Sequence, residues 1–229
     1  MTGDTPPAPR LAAVLWDMDG TLVDTEPYWL DVERELVESF GGTWTKEHGL
    51  QLVGSALERS AHILQSFGVD METWDLIRHI SGRVTERLAV EIPWRPGARE
   101  LLAELREARV PTALVTMSIS PMAHSVIAAI GFDAFDVVVA GDQVERPKPH
   151  PDPYLQAASA LGVDIARCVA IEDSIPGTTS ASASGAATVA VPAHVPLPPS
   201  PSYTLWESLE GRGVADLEAV LAERAELSA

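Results

Sequence analysis

Five short apolar runs, separated by segments of helical periodicity, constrain the fold of this chain more than any other feature. They occupy residues 11–16, 111–116, 137–140, 168–172 and 187–191. The runs are rich in Val, Ile and Ala and hardly alternate with polar residues, which is typical of strands covered on both faces. Amphipathic segments fill most of the gaps, and two of them end at Gly131 and Gly162. Strand and helix in repetition predict an α/β fold with a doubly wound parallel sheet.

The region from residue 25 to residue 95 breaks this rhythm, because it contains no convincing strand. Apolar residues there recur at helical spacing in three stripes, and glycines mark the helix ends. We therefore expect a helical cap domain over residues 25–95, inserted into a core formed by residues 10–24 and 96–229. The proline-rich stretch 192–201 is expected to form a stiff surface loop before a C-terminal helix.

Charge and composition limit the partners of this chain. Its 229 residues carry 33 acidic and 16 basic side chains, a formal net charge of −17. Such a field repels nucleic acid and anionic lipid, so we expect neither as a partner, and no feature indicates an obligate protein partner. No apolar run approaches the ~20 residues that cross a membrane, and residues 1–9 do not resemble a signal peptide. The lone cysteine, Cys168, excludes an intrachain disulfide and suits a reducing cytoplasm, where we expect the protein to lie.

Chemically active side chains gather at the predicted carboxyl ends of the strands. They are Asp17 and Asp19 after the first run, Thr116 at the end of the second, Glu172 and Asp173 at the end of the fourth, and Lys148 in the loop before the fourth. The carboxyl ends of parallel strands form the ligand crevice of such a sheet, so we expect these side chains to lie together. A pair of carboxylates there can hold a divalent metal, and one can attack an electrophile while the other moves protons.

The arrangement of these residues resembles that of the haloacid dehalogenase superfamily, in its phosphatase and mutase branch. The run from Asp17 to Pro27, DMDGTLVDTEP, is similar to the first motif of the family. Thr116, Lys148-Pro149 and the run 172–174 match the second, third and fourth motifs in order. The helical insertion stands where the family has its cap, and the resemblance extends from about residue 11 to residue 191. It implies a Rossmann-like catalytic core and phosphoryl chemistry.

The resemblance implies unequal roles for the two aspartates of the first motif. Asp17 would be the nucleophile that forms an aspartyl-phosphate, and Asp19 would protonate the leaving alcohol and then accept a proton from water. Mg²⁺ would be held by Asp17, the backbone carbonyl of Asp19 and Asp173, with Glu172 as a possible further ligand. Hard oxygen donors suit Mg²⁺, and the absence of a Cys/His cluster disfavours zinc.

Four residues would bind the phosphate according to the same resemblance. Thr116 would donate its hydroxyl and Met117 its backbone amide to phosphate oxygens. Lys148 would neutralise the charge that Asp17 and the phosphoryl group share. Gly20 belongs to this set because it would allow the chain to turn tightly beside the nucleophile.

The expected function is a Mg²⁺-dependent phosphatase for a small phosphorylated metabolite, such as a sugar or polyol phosphate. The alternative is a mutase of the β-phosphoglucomutase type, which shares the four motifs. Trp29 stands where those mutases have a histidine, and Leu57 where they have an arginine, so hydrolysis is favoured. The presence of Asp19 disfavours a dehalogenase. A non-catalytic binding relative is also less favoured, because Asp17, Lys148 and Asp173 are all present.

Specificity for the leaving group is expected to come from residues of the helical segment that face the core. The candidates are Glu26, Gly54, Ser55 and Arg59. Trp29 and Trp44 are interpreted mainly as packing residues of the insertion, with substrate contact as the lesser alternative.

Overall fold

The computed structural model describes residues 10–227, so the expectation for residues 1–9 lies outside the described chain. Six strands form one parallel sheet within it, in the order β3-β2-β1-β4-β5-β6. They are β1 Ala13–Trp16, β2 Thr112–Val115, β3 Val137–Val139, β4 Cys168–Glu172, β5 Ala187–Ala190 and β6 Thr204–Leu205. The five predicted strands are confirmed. The stretch 192–201 contains no helix or strand, as expected for a loop. The short strand β6 follows this loop before the last helix, and it was not predicted because two residues are too few to show a period.

Helices cover both faces of the sheet, which confirms the doubly wound α/β fold. The α-helices are α1 Glu26–Ser39, α2 Lys46–Leu50, α3 Leu57–Ser66, α4 Thr73–Leu88, α5 Ala98–Glu107, α6 Ser120–Ile130, α7 Asp152–Leu161, α8 Ile175–Ser184 and α9 Val214–Leu227. Gly141–Gln143 and Ile165–Arg167 form short 3-10 helices. The predicted helix ends at Gly131 and Gly162 are confirmed, and both glycines have left-handed backbones.

Strand β1 lies in the middle of the sheet and is buried along its whole length. Ala13 and Leu15 pack on one face with Tyr154 of α7, whereas Val14 and Trp16 pack on the other face with helices that include α5 and α9. Successive side chains of a strand point to opposite faces, so a strand covered on both sides must be apolar throughout. This explains why the run at 11–16 does not alternate.

The neighbours of β1 bring the predicted site together. Trp16 pairs with Leu114 of β2 on one side and with Ile171 of β4 on the other. The residues that follow these three positions therefore emerge side by side at one edge of the sheet. This edge is where the strand order reverses direction along the chain, the place at which such sheets bind ligands.

The segment between residues 25 and 95 contains α1 to α4 and no strand longer than an isolated bridge. Its two connections to the sheet run beside each other: the amide of Asp24 donates to Pro93 O at 2.7 Å, and that of Arg95 to Leu22 O at 3.0 Å. The exact domain boundaries at residues 25 and 95 stay a prediction. Within residues 10–227, no helix combines the length and the apolar character that spanning a membrane requires.

Candidate active site

Three buried carboxylates form a compact cluster at the ends of β1 and β4. Asp17, Glu172 and Asp173 each place one oxygen so that all three oxygens lie within 4.8 Å of one another. Lys148 reaches this cluster from the loop before α7 and is buried as well. Three acidic groups against one lysine leave an excess of negative charge in a place shielded from water, which favours a bound cation.

Lys148 holds the cluster together through contacts at its ammonium group. Its Nζ lies 2.7 Å from Asp17 Oδ1 and 2.6 Å from Glu172 Oε1, and it donates to the carbonyl of Val115 at 2.9 Å. Burial opposes the charge of this lysine, but the two carboxylates outweigh burial and raise its pKa above the ordinary value. Tyr154, which the sequence did not indicate, donates from its hydroxyl to Glu172 Oε1 at 2.5 Å.

The Asp17 carboxylate is only partly satisfied by these contacts. Its Oδ2 is buried and has no hydrogen-bond partner within residues 10–227. Burial and the charge of Glu172 raise the pKa of Asp17 to about 7, although Lys148 opposes this shift. Burial likewise raises the pKa of Asp173. An unpaired oxygen among hard oxygen donors fits a cation such as Mg²⁺, so the residues present suit the predicted metal.

The Asp19 carboxylate stands beside this cluster and accepts four side-chain hydrogen bonds. Thr25 Oγ1 and Trp29 Nε1 donate to its Oδ1 at 2.6 and 3.3 Å. Thr116 Oγ1 and Ser118 Oγ donate to its Oδ2 at 3.2 and 2.8 Å. These bonds come from two distant segments of the chain, 25–29 and 116–118, and hold the carboxylate in one orientation. Trp29 thus has a polar contact at the site that goes beyond the packing role we expected for it.

The predicted phosphate-binding residues lie around the same point. Gly20 has a left-handed backbone with φ of +87°, and a Cβ on it would lie 2.0 Å from Asp173 Oδ2, so only glycine fits. Its amide donates to Val23 O at 2.7 Å. Met117 lines the cavity described next, and its amide makes no hydrogen bond within residues 10–227. Thr116 is buried and contacts Asp19.

A cavity opens above these groups, between the sheet edge and the helical segment, and holds about 680 Å³ of empty space including its mouth. The sheet side contributes Asp17, Asp19, Met117, Ser118, Lys148, Asp173 and Ser174. The helical segment contributes Glu26, Trp29, Glu33, Leu52, Val53, Gly54, Ser55, Leu57, Ser60 and Ile80. Three of the four candidates for specificity therefore line the cavity. Arg59 does not, and it is exposed.

Two carboxyl groups of α1 face this cavity from the side opposite Lys148. Glu33 is buried, and Trp44 Nε1 donates to its Oε2 at 3.3 Å. Burial and the charge of Glu26 raise the pKa of Glu33 to about 8, and burial with nearby carboxylates raises that of Glu26 to about 7. Sequence reasoning missed Glu33. The available signal was its place four residues after Trp29, an acid on the apolar face of a helix.

The parallel sheet and the carboxylate–lysine cluster at its edge define an enzyme of the α/β class with an inserted helical segment. Residues 11–185 match the profile of the haloacid dehalogenase-like hydrolases, so the chain belongs to this family and the predicted resemblance is confirmed.

Individual relatives support the same placement. Hexitol phosphatase A of Escherichia coli is 32% identical over 199 residues, which cover 82% of this chain and 87% of that protein. The bifunctional riboflavin kinase/FMN phosphatase of Arabidopsis thaliana is 32% identical over 184 residues, but the match covers 79% of this chain and only 48% of that protein. The crystal structure of CbbY from Rhodobacter sphaeroides with xylulose-(1,5)bisphosphate has a TM-score of 0.80 at 30% identity, covering 90% of this chain and 99% of that one.

Proposed function

We propose that this protein is a Mg²⁺-dependent phosphatase that hydrolyses a small phosphorylated metabolite of the sugar or polyol phosphate type. The observation that carries the proposal is the buried cluster of Asp17, Glu172, Asp173 and Lys148, with the Asp19 carboxylate oriented beside it. The names of the relatives agree with it, since hexitol phosphatase A is a phosphatase and CbbY binds a sugar bisphosphate.

The chain's own residues supply the steps of a two-stage hydrolysis. An oxygen of Asp17 attacks the phosphorus atom, the bond from phosphorus to the ester oxygen breaks, and Asp19 gives a proton to the departing alkoxide. Water then attacks the phosphorus of the aspartyl-phosphate, Asp19 accepts its proton, and phosphate leaves with Asp17 restored. Lys148 offsets negative charge throughout, and the Met117 amide is available to a phosphate oxygen.

Asp17 and Asp173 would hold Mg²⁺, together with the carbonyl of Asp19, and Glu172 remains a possible ligand although its Oε1 is occupied by Lys148 and Tyr154. When bound, the ion supplies positive charge that polarises the phosphoryl group. Trp29 and Leu57, which replace the histidine and arginine of the mutases, both line the cavity. This arrangement supports hydrolysis over phosphate transfer between sugar hydroxyls.

The test is turnover of p-nitrophenyl phosphate by the wild type and by Asp17→Asn. We expect the variant to lose about a thousandfold or more of kcat, because amide oxygen is a poor nucleophile. We also expect EDTA to suppress the wild type until excess Mg²⁺ is added. Asp133→Asn, the same change at an exposed position, serves as the control. Full activity of Asp17→Asn, or of the EDTA-treated wild type, would show that the proposed mechanism is wrong.

A further inference from the structure

The two walls of the cavity differ in charge. Lys148 is the only Lys, Arg or His among the described residues that line it, and its ammonium group is already paired with Asp17 and Glu172. The wall formed by the helical segment carries two carboxyl groups, Glu26 and Glu33, and no basic group. The part of a substrate that projects away from the reacting phosphate therefore meets acids and finds no cation.

We propose that Glu26 and Glu33 determine specificity by accepting a neutral, hydroxyl-bearing leaving group and rejecting one that carries a second phosphate or a carboxylate. This inference rests on the proposed phosphatase function and names the class of ester on which it acts. It assigns a role to Glu33, a residue that the hydrolytic steps above do not use.

The position of the two acids on α1 supports this role. Glu26 lies three residues before Trp29 and Glu33 four residues after it, so the three side chains share one face of the helix. Trp29 contacts Asp19, the group assigned to protonate the leaving alcohol. The acids flank this contact and span about 10 Å along the helix axis, a distance over which several hydroxyl groups can be bound.

The chemistry of Glu33 suits a hydroxyl partner. One of its oxygens accepts a hydrogen bond from Trp44, and this bond anchors the carboxyl group. The remaining hydrogen-bonding capacity of the carboxyl group is available to a ligand in the cavity that Glu33 lines. Ser55 and Ser60 add hydroxyls to the same wall. Raised pKa values at Glu26 and Glu33 let each group donate as well as accept near neutral pH, which matches the two-way bonding of an alcohol.

A second anionic group would be disfavoured on the same wall for two reasons. It would lose its hydration without gaining a positive partner, and it would be repelled by Glu26 and Glu33 once these groups are ionised, which for Glu33 requires a pH above about 8. A substrate group that is left unpaired or meets like charge in the site lowers kcat/KM more than the loss of a single favourable contact does. The wall can therefore discriminate strongly against a second anionic group.

The experiment compares two substrates that differ by one phosphate, sorbitol 6-phosphate and sorbitol 1,6-bisphosphate, by kcat/KM at saturating Mg²⁺ and at pH 9, where Glu26 and Glu33 are ionised. For the wild type we expect a preference of about 30-fold or more for the monophosphate. Glu33→Gln and Glu26→Gln keep the shape of the side chain and remove its acidic group. Each should therefore reduce the preference for the monophosphate over the bisphosphate about tenfold. Glu38→Gln, an exposed position on the same helix, should leave the ratio unchanged.

The outcomes separate this inference from the proposed function. A wild type that turns over p-nitrophenyl phosphate but hydrolyses both sorbitol esters equally well overturns the inference and leaves the phosphatase function standing. No turnover of any ester with Mg²⁺ refutes the function itself. Faster hydrolysis of phosphoethanolamine than of sorbitol 6-phosphate would also overturn the inference, because the acids would then select a cation. The wild-type comparison decides the matter even where a variant fails to fold.

Discussion

Replacing Glu33 with glutamine should change how the stability of the protein depends on pH. Glu33 is buried, and its pKa is about 8 in the folded protein against an ordinary value of 4.5. Between these values the folded carboxyl keeps its proton, whereas the unfolded one is ionised. The unfolded state then binds fewer protons, so the free energy of unfolding falls as the pH rises through this window.

The size of the effect follows from the width of the window. A single group changes the free energy of unfolding by about 1.4 kcal/mol per pH unit within this window. Between pH 5.5 and pH 8, Glu33 should therefore lower the free energy of unfolding of the wild type by about 3 kcal/mol. Glutamine cannot ionise and still offers an oxygen to the Trp44 indole. Glu33→Gln should therefore lack this loss and should be more stable than the wild type above pH 8.

Urea unfolding followed by tryptophan fluorescence, at several pH values from 5.5 to 8.5, measures the difference between the two proteins. EDTA in every sample prevents cation binding to the carboxylate cluster from contributing. Glu38→Gln, the same change at an exposed site of α1, should follow the wild type. If the stability curves of Glu33→Gln and the wild type run parallel within about 0.5 kcal/mol, burial does not keep Glu33 protonated and the reasoning fails.

Two further changes test the site and its cover. Lys148→Met removes the one basic group that lines the cavity within residues 10–227. In EDTA it should therefore lower the free energy of unfolding by about 3–5 kcal/mol, and Mg²⁺ should restore more stability to the variant than to the wild type. Equal stabilisation of the two by Mg²⁺ in thermal unfolding would contradict this. Gly54→Ala places a Cβ 2.4 Å from Ser174 Oγ at a left-handed backbone, so it should raise KM several-fold and lower stability by about 1–2 kcal/mol. Gly68→Ala, which shares the positive φ but has nothing within 4 Å, should show only the backbone cost in urea unfolding; an equal KM change would refute the role of the Ser174 contact.

Much of the site was accessible from the sequence because its residues sit directly after strands. The runs at 11–16, 111–116 and 168–172 identify three strands that prove to be neighbours, so Asp17, Thr116 and Asp173 had to emerge at one edge. Placing each residue needed only local patterns and the rule that parallel strands share a direction. The roles of these residues as nucleophile, proton carrier and metal ligands remain predictions that the proposed experiments test.

Other features of the site depend on contacts between distant parts of the chain. Asp19 accepts hydrogen bonds from Thr25 and Trp29 and, across nearly a hundred residues, from Thr116 and Ser118. No local pattern states which hydroxyl reaches which carboxylate, because that depends on how the strands are aligned. Tyr154 was missed for the same reason: only the packing of α7 against the sheet brings its hydroxyl to Glu172.

By itself, then, the sequence determined the α/β class, the helical insertion and the carboxylates at the strand ends, since these follow from periodicity and chain order. Only the tertiary structure decided that Glu26 and Glu33 face the cavity and that Arg59 does not. The physical reason lies in the docking of α1 over the edge of the sheet. The sequence of a helix indicates which of its faces is buried. It does not indicate what that face packs against, because this depends on the packing of the whole chain. Here the face of α1 lines a cavity that also contains a buried lysine.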